Sequence, residues 1–78
     1  MGNEKERRTE LIKQVIQART EKGLTQTQLG ELIDELQPHI ARMESGEHNV
    51  TLDFLLKVSD ALDKEVKLVQ KYKKEFVR

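Results

Sequence analysis

No cysteine occurs among the 78 residues, which excludes a disulfide framework and any thiolate metal site. Aromatic residues make up only 4% of the chain, so the core has to be built from Leu, Ile and Val. No apolar run exceeds two or three residues, so nothing spans a membrane and no signal peptide is visible; a cytoplasmic protein is expected. The four scattered glycines form no phosphate-cradling loop, and the single proline, Pro38, marks no linker. His39 and His48 stand nine residues apart without a third ligand at helical or hairpin spacing, which argues against a zinc site. They read instead as solvated or phosphate-facing imidazoles. The carboxylates are spread over helix faces, where they solvate and terminate helices rather than form an acid–base pair. This inventory supports neither an enzyme nor a cofactor, and the chain reads as a binding protein.

Charge is what the chain has in quantity, at 36% of its residues, and its zero net balance conceals an asymmetry. Residues 1–23 carry 6 basic and 4 acidic groups, residues 24–63 carry 2 and 8, and residues 64–78 carry 6 and 2. An acidic middle between basic ends suggests pairing between molecules or a basic arm serving another partner. The length suits one small domain, expected over 1–70 and followed by a basic tail over 71–78.

The local signals are helical. Asn3 with Glu6 can cap a first helix, whose apolar stripe is Leu11, Ile12, Val15 and Ile16, and Gly23 ends it. Thr25 and Gln28 form a capping box for a second helix, with Leu24 and Leu29 as the hydrophobic staple and Leu29, Leu32 and Ile33 as its buried face. A third helix starts near Pro38, which is tolerated in a first turn, buries Ile40 and Met43, and stops at Gly46. Thr51 caps a fourth, with Leu52, Leu55, Leu56, Ser59 and Leu62 on one side. After Asp63, the run "EVKLV" alternates like a strand but is short enough to continue as helix.

From Arg19 to Leu62 the chain resembles the Cro and phage-repressor-like, or XRE-like, helix-turn-helix family through "GLTQTQLGELI", "QPHIARMESG" and "TLDFLLKVSDAL". The run "QPHIARMESGEHN" and the following "EVKLV" resemble the small antitoxins of the host-inhibition-of-growth type. The resemblance implies an all-α bundle of four to five helices, with room for a short C-terminal strand. It implies a sequence-specific repressor, a homodimer on a double-stranded DNA operator, and the antitoxin of a toxin–antitoxin pair; the acidic middle of the chain would suit a basic toxin. Gln37, Pro38, His39 and Arg42 would then face the bases from the third helix. Thr25, Gln26, Ser45, His48 and Asn49 would meet phosphates. Each has a plainer alternative: Arg42 as a surface charge, Gln37 as a helix-start residue, His39 as a solvated side chain. Arg19 and Glu44 match an ion pair between first and third helices, which belongs to the scaffold.

The turn departs from the family. Asp34, Glu35 and Leu36 stand where Gly, an apolar residue and Ser or Thr are usual. Asp tolerates the left-handed conformation such a turn needs, Glu35 forfeits a core contact, and Leu36 forfeits an N-cap worth about 0.5–2 kcal/mol. Val50 and Asp63 likewise replace a common Pro and Gly. The segment Thr25–Gly46 holds one basic residue against four acidic ones, so its phosphate contacts would have to come from backbone N–H groups, Gln26, Lys22, Lys57 and the Lys71–Lys74 cluster. The rival expectation is a protein-interaction module that keeps the fold and has lost DNA affinity.

Overall fold

A computed structural model describes residues 3–70. It contains four helices: α1 (Glu4–Glu21), α2 (Gln26–Ile33), α3 (Gln37–Glu44) and α4 (Leu52–Ala61). The basic tail over 71–78, with its lysine cluster, lies outside the described residues.

Three of the four helices end in the same way. At the end of α1, Leu24 N–H donates to Arg19 O and Gly23 N–H to Thr20 O. At the end of α2, Glu35 N–H donates to Gly30 O and Asp34 N–H to Glu31 O; at the end of α4, Lys64 N–H donates to Ser59 O and Asp63 N–H to Asp60 O. Each is a Schellman closure, in which one left-handed residue returns two N–H groups to otherwise orphaned carbonyls. Gly23 supplies that residue after α1, but Asp34 and Asp63 supply it after α2 and α4, each with φ 60°. The family's glycine positions are thus kept in conformation while the glycine is lost.

The helix starts are less uniform. Thr25 and Gln28 make the full capping box, and Thr51 Oγ1 accepts from Phe54 N–H at 3.1 Å. Asn3 occupies the N-cap of α1, but its side chain makes no cap bond, contrary to the sequence expectation. Leu36 precedes α3 without a side-chain cap, as its chemistry dictates, and Pro38 sits in the first turn.

α2 packs on α3 and α4, and α1 packs on α3. The core between them comprises Ile12, Val15, Ala18, Leu29, Ile33, Ile40, Met43, Val58 and Leu62, with Leu29, Ile40 and Val58 wholly buried. Burying each of those three contributes about 1.5–3 kcal/mol. The α2–α3 turn lies close against α2: a Cβ on Gly30 would fall 2.5 Å from the Glu35 carbonyl oxygen, so the small residue there permits the approach.

Three expectations are corrected. Leu32 is 59% exposed, and α4 turns Val58 inward beside the expected Ser59 and Leu62 while Leu52 and Leu56 face outward. The eight-residue α2 buries Leu29, Gly30 and Ile33, so Gly30 and not Leu32 completes its inward side. Residues 64–70, with "EVKLV", are neither helix nor strand; Leu68 is almost fully exposed, and a strand needs a partner that a single chain does not supply here.

Candidate nucleic-acid interface

The third helix is fixed from beneath by one partly buried network. Arg19 grips Glu44 through two bonds, Nε to Oε2 at 2.6 Å and Nη2 to Oε1 at 2.9 Å, and its Nη1 donates to Leu24 O at 2.7 Å. The pair ties the end of α3 to α1 and to the start of α2. Its side chains are 12% and 6% exposed, so this is the scaffold pair that the resemblance implied. A bidentate fork of this kind sets geometry as well as charge.

Glu44 then reaches the outer surface through two glutamines. Gln26 Nε2 donates to Glu44 Oε1 at 2.9 Å, and Gln37 Nε2 donates to Gln26 Oε1 at 2.8 Å. The first side chains of α2 and α3 are therefore locked together. Gln37 retains one N–H and its carbonyl oxygen, the pair of groups that adenine's N7 and N6 amino group require. Gln26 retains one N–H, at the start of a helix, which suits a phosphate oxygen.

His39, Arg42, His48, Asn49 and Thr51 border one shallow depression with Glu35, Met43, Val50 and Phe54, so the end of α3 and the loop after it form one continuous face. Pro38, His39 and Arg42 are exposed. Among the described residues, the Arg42 guanidinium makes no ion pair, so its donors stay available. Thr25 Oγ1 accepts from Gln28 N–H at 3.0 Å and keeps its own proton to donate. Ser45 differs: its hydroxyl donates to Arg42 O at 2.7 Å and accepts from Glu47 N–H at 3.3 Å, so it serves the helix end before any phosphate. Asn49 Oδ1 accepts from Arg8 Nη2 at 3.1 Å.

Two sequence assignments fare worse. Lys22 pairs with Asp63 at 2.8 Å and Lys57 with Glu35 at 3.2 Å, so either meets a phosphate only by leaving its partner. The hydrogen bond from Lys22 holds the Asp63 carboxyl below the usual range. The bond from His39, followed by that from Lys57, does the same to Glu35. Conversely, two residues at this face were not assigned to it from the sequence. Arg8, on α1, brings a cation with no ion pair among the described residues to the loop after α3, a contact across 41 residues that no local pattern announces. Glu35 accepts from His39 Nδ1 at 2.8 Å, and here the four-residue spacing was legible.

The helix-turn-helix family model (HTH_3) matches residues 15–69. The chain belongs to that family. A helix-turn-helix-type transcriptional regulator of Haemophilus influenzae, itself uncharacterized, is 42% identical over 62 residues, covering 80% of this chain and 63% of that protein. The chain thus spans less than two thirds of that relative's length. A toxin–antitoxin module from Streptococcus pneumoniae superposes with a TM-score of 0.69 at 40% identity, covering 86% of this helix-turn-helix chain and 74% of the other.

Proposed function

We propose that this helix-turn-helix protein is a sequence-specific transcriptional repressor that binds its operator as a homodimer, and that it serves as the antitoxin of a toxin–antitoxin pair. The observation that carries the DNA-reading part is the Gln37–Gln26–Glu44–Arg19 chain of hydrogen bonds. It holds the exposed side of α3 in one arrangement and leaves Gln37 with the donor and acceptor a base edge needs. Gln37, Pro38, His39 and Arg42 are the base-facing residues of this reading. Gln26, Thr25, His48 and Asn49 are the phosphate-facing ones, with Ser45 acting through the helix end.

One module of this size buries too little surface for tight selective binding, which favours two copies on a near-palindromic site. The apolar material for such a contact is present: Leu52 and Leu56 face outward one turn apart on α4, and Leu56 and Val66 line one cleft. The antitoxin part draws on the similarity to the pneumococcal module, and a basic toxin would suit the acidic middle of the chain.

The experiment is titration of the purified protein against the DNA upstream of its own gene at low and moderate salt. Selective retention of one upstream segment is the expected result. A folded dimer with no sequence preference at low salt would leave the protein-interaction module, which the internal pairing of Lys22 and Lys57 favours.

A further inference from the structure

The α2–α3 turn carries a carboxylate at a position where the fold needs none. Glu35 is partly buried, with its side chain 22% exposed, yet it lies on the same face as His39 and Arg42. Its two oxygens are divided between two elements. Oε1 meets His39 Nδ1 on α3 at 2.8 Å, and Oε2 accepts from Lys57 Nζ on α4 at 3.2 Å.

We propose that Glu35 is a specificity-positioning residue: it holds His39 as the Nδ1–H tautomer, so that Nε2 reads an exocyclic amino group, adenine N6 or cytosine N4, in the major groove. The proposal rests on the DNA-reading function above. A carboxylate only accepts, so the hydrogen between Glu35 and His39 must sit on Nδ1. A neutral ring protonated at Nδ1 presents a lone pair at Nε2. The His39 side chain is 56% exposed on the recognition helix, and among the described residues Nε2 has no hydrogen-bond partner. An acceptor at that point matches the donor edges of A and C and opposes the acceptor-only edge of G. The same tautomer-fixing role is played by carboxylates behind metal-bound histidines, where the partner of one nitrogen decides what the other does.

Glu35 has a second effect, of opposite sign for affinity. By pairing Lys57 it withholds a cation that would otherwise attract any DNA sequence. One residue therefore sharpens base choice and suppresses indiscriminate binding. A residue that merely stabilised the fold would not separate these two effects.

The test uses nitrogen NMR of the imidazoles at about pH 8, where a histidine ring is neutral, and selection from a randomised DNA pool, on the full chain. Wild type should show His39 as the Nδ1–H form. Glu35→Gln, whose amide oxygen still accepts, should keep that form, and Glu35→Ala should lose it. In the selection, wild type and Glu35→Gln should prefer A or C at one position per half-site by about fivefold or more, the lower end of a good base contact. Glu35→Ala and His39→Ala should lose that preference while others persist. Both Glu35 variants should bind unrelated DNA more tightly than wild type, because Lys57 is released. Lys57→Ala should leave the preference at that position in place. His39 in the Nε2–H form overturns the proposal. So does a preference at that position unmoved in Glu35→Ala. If wild type selects no sequence at all, the repressor function fails and this inference falls with it.

Discussion

The left-handed aspartates offer a measurable exchange of side chain against backbone. Asp34 sits at φ 60°, ψ 46° and closes α2, and its side chain makes no hydrogen bond among the described residues. A Cβ in that region costs about 1–2 kcal/mol, less for Asp than for most residues. Asp34→Gly removes the cost but adds unfolded-state entropy of about 0.4–1 kcal/mol. The net expectation is a gain of up to about 1 kcal/mol, raising Tm by up to roughly 8 °C in a domain of this size. Gly23 supplies the calibration. It closes α1 through the same bonds at φ 74°, and a Cβ added there meets nothing within 4 Å. Gly23→Ala therefore reports the backbone cost less the same unfolded-state term, with no side-chain clash, and should destabilise by about 1 kcal/mol. Urea and thermal unfolding followed by circular dichroism measure both. A less stable Asp34→Gly beside a destabilised Gly23→Ala would mean that the Asp34 carboxylate supports the turn, and the reasoning from conformation would be wrong.

Ile40→Ala, at a wholly buried site between α2 and α3, should cost about 2–5 kcal/mol in urea unfolding; wild-type stability would remove Ile40 from the core. Glu35 and Asp63 titrate below their ordinary range when folded, so their stabilisation is full above about pH 5 and fades as pH falls through the folded values. Glu35→Gln and Asp63→Asn should each flatten the acid limb of Tm against pH, and an unchanged limb would refute the assignment. Arg42→Ala should weaken specific DNA binding by about 1–3 kcal/mol and relax one position per half-site, read by competition titration; an equal loss on all sequences would make Arg42 a phosphate contact. Leu56→Glu should produce a monomer in analytical ultracentrifugation with helicity unchanged, whereas an intact dimer would move the interface elsewhere.

The elements were legible where a single local rule decided them. The Thr25–Gln28 box, the proline in the first turn of α3 and Gly23 after α1 each reflect chemistry confined to four or five residues. The inward side of α4 was read in part: Leu55, Ser59 and Leu62 do pack inward, but Leu52 and Leu56 were placed with them and Val58 was missed. Val58 and Ser59 are inside although Leu52 and Leu56 are larger and more apolar, so position on the helix and not apolar size decides which side packs on the core. Ser59 can be buried because its hydroxyl donates to Leu55 O at 2.8 Å, a bond that a hydropathy pattern does not register. The candidate site, whose role in DNA binding is proposed above, divides in the same way between local position and tertiary contact. Gln26, Gln37 and Arg42 were legible from their place on the helices, whereas the Arg8–Asn49 contact and the pairing of Lys22 and Lys57 depend on how distant segments meet.

That tertiary pairing also changes what the acidity of the recognition segment means. Thr25–Gly46 has one basic and four acidic residues, a balance that should repel DNA. Two of the four acids are not free charges. Glu44 is committed to Arg19 inside the fold, and Glu35 is shared by His39 and Lys57. Arg42 is left without an acidic partner among the described residues, and Arg8 adds a cation from outside the segment whose bond to Asn49 leaves its charge intact. The surface offered to a groove is therefore more positive than its sequence, but only by a few charges. Each phosphate neutralised contributes a slope of about 0.9 to the salt dependence of binding, so a surface with so few cations gains little from counterion release. What it retains is the part of affinity that depends on base edges. On the function proposed above, a reader built this way gives up grip on arbitrary DNA, and its discrimination would rest on Gln37, His39 and Arg42.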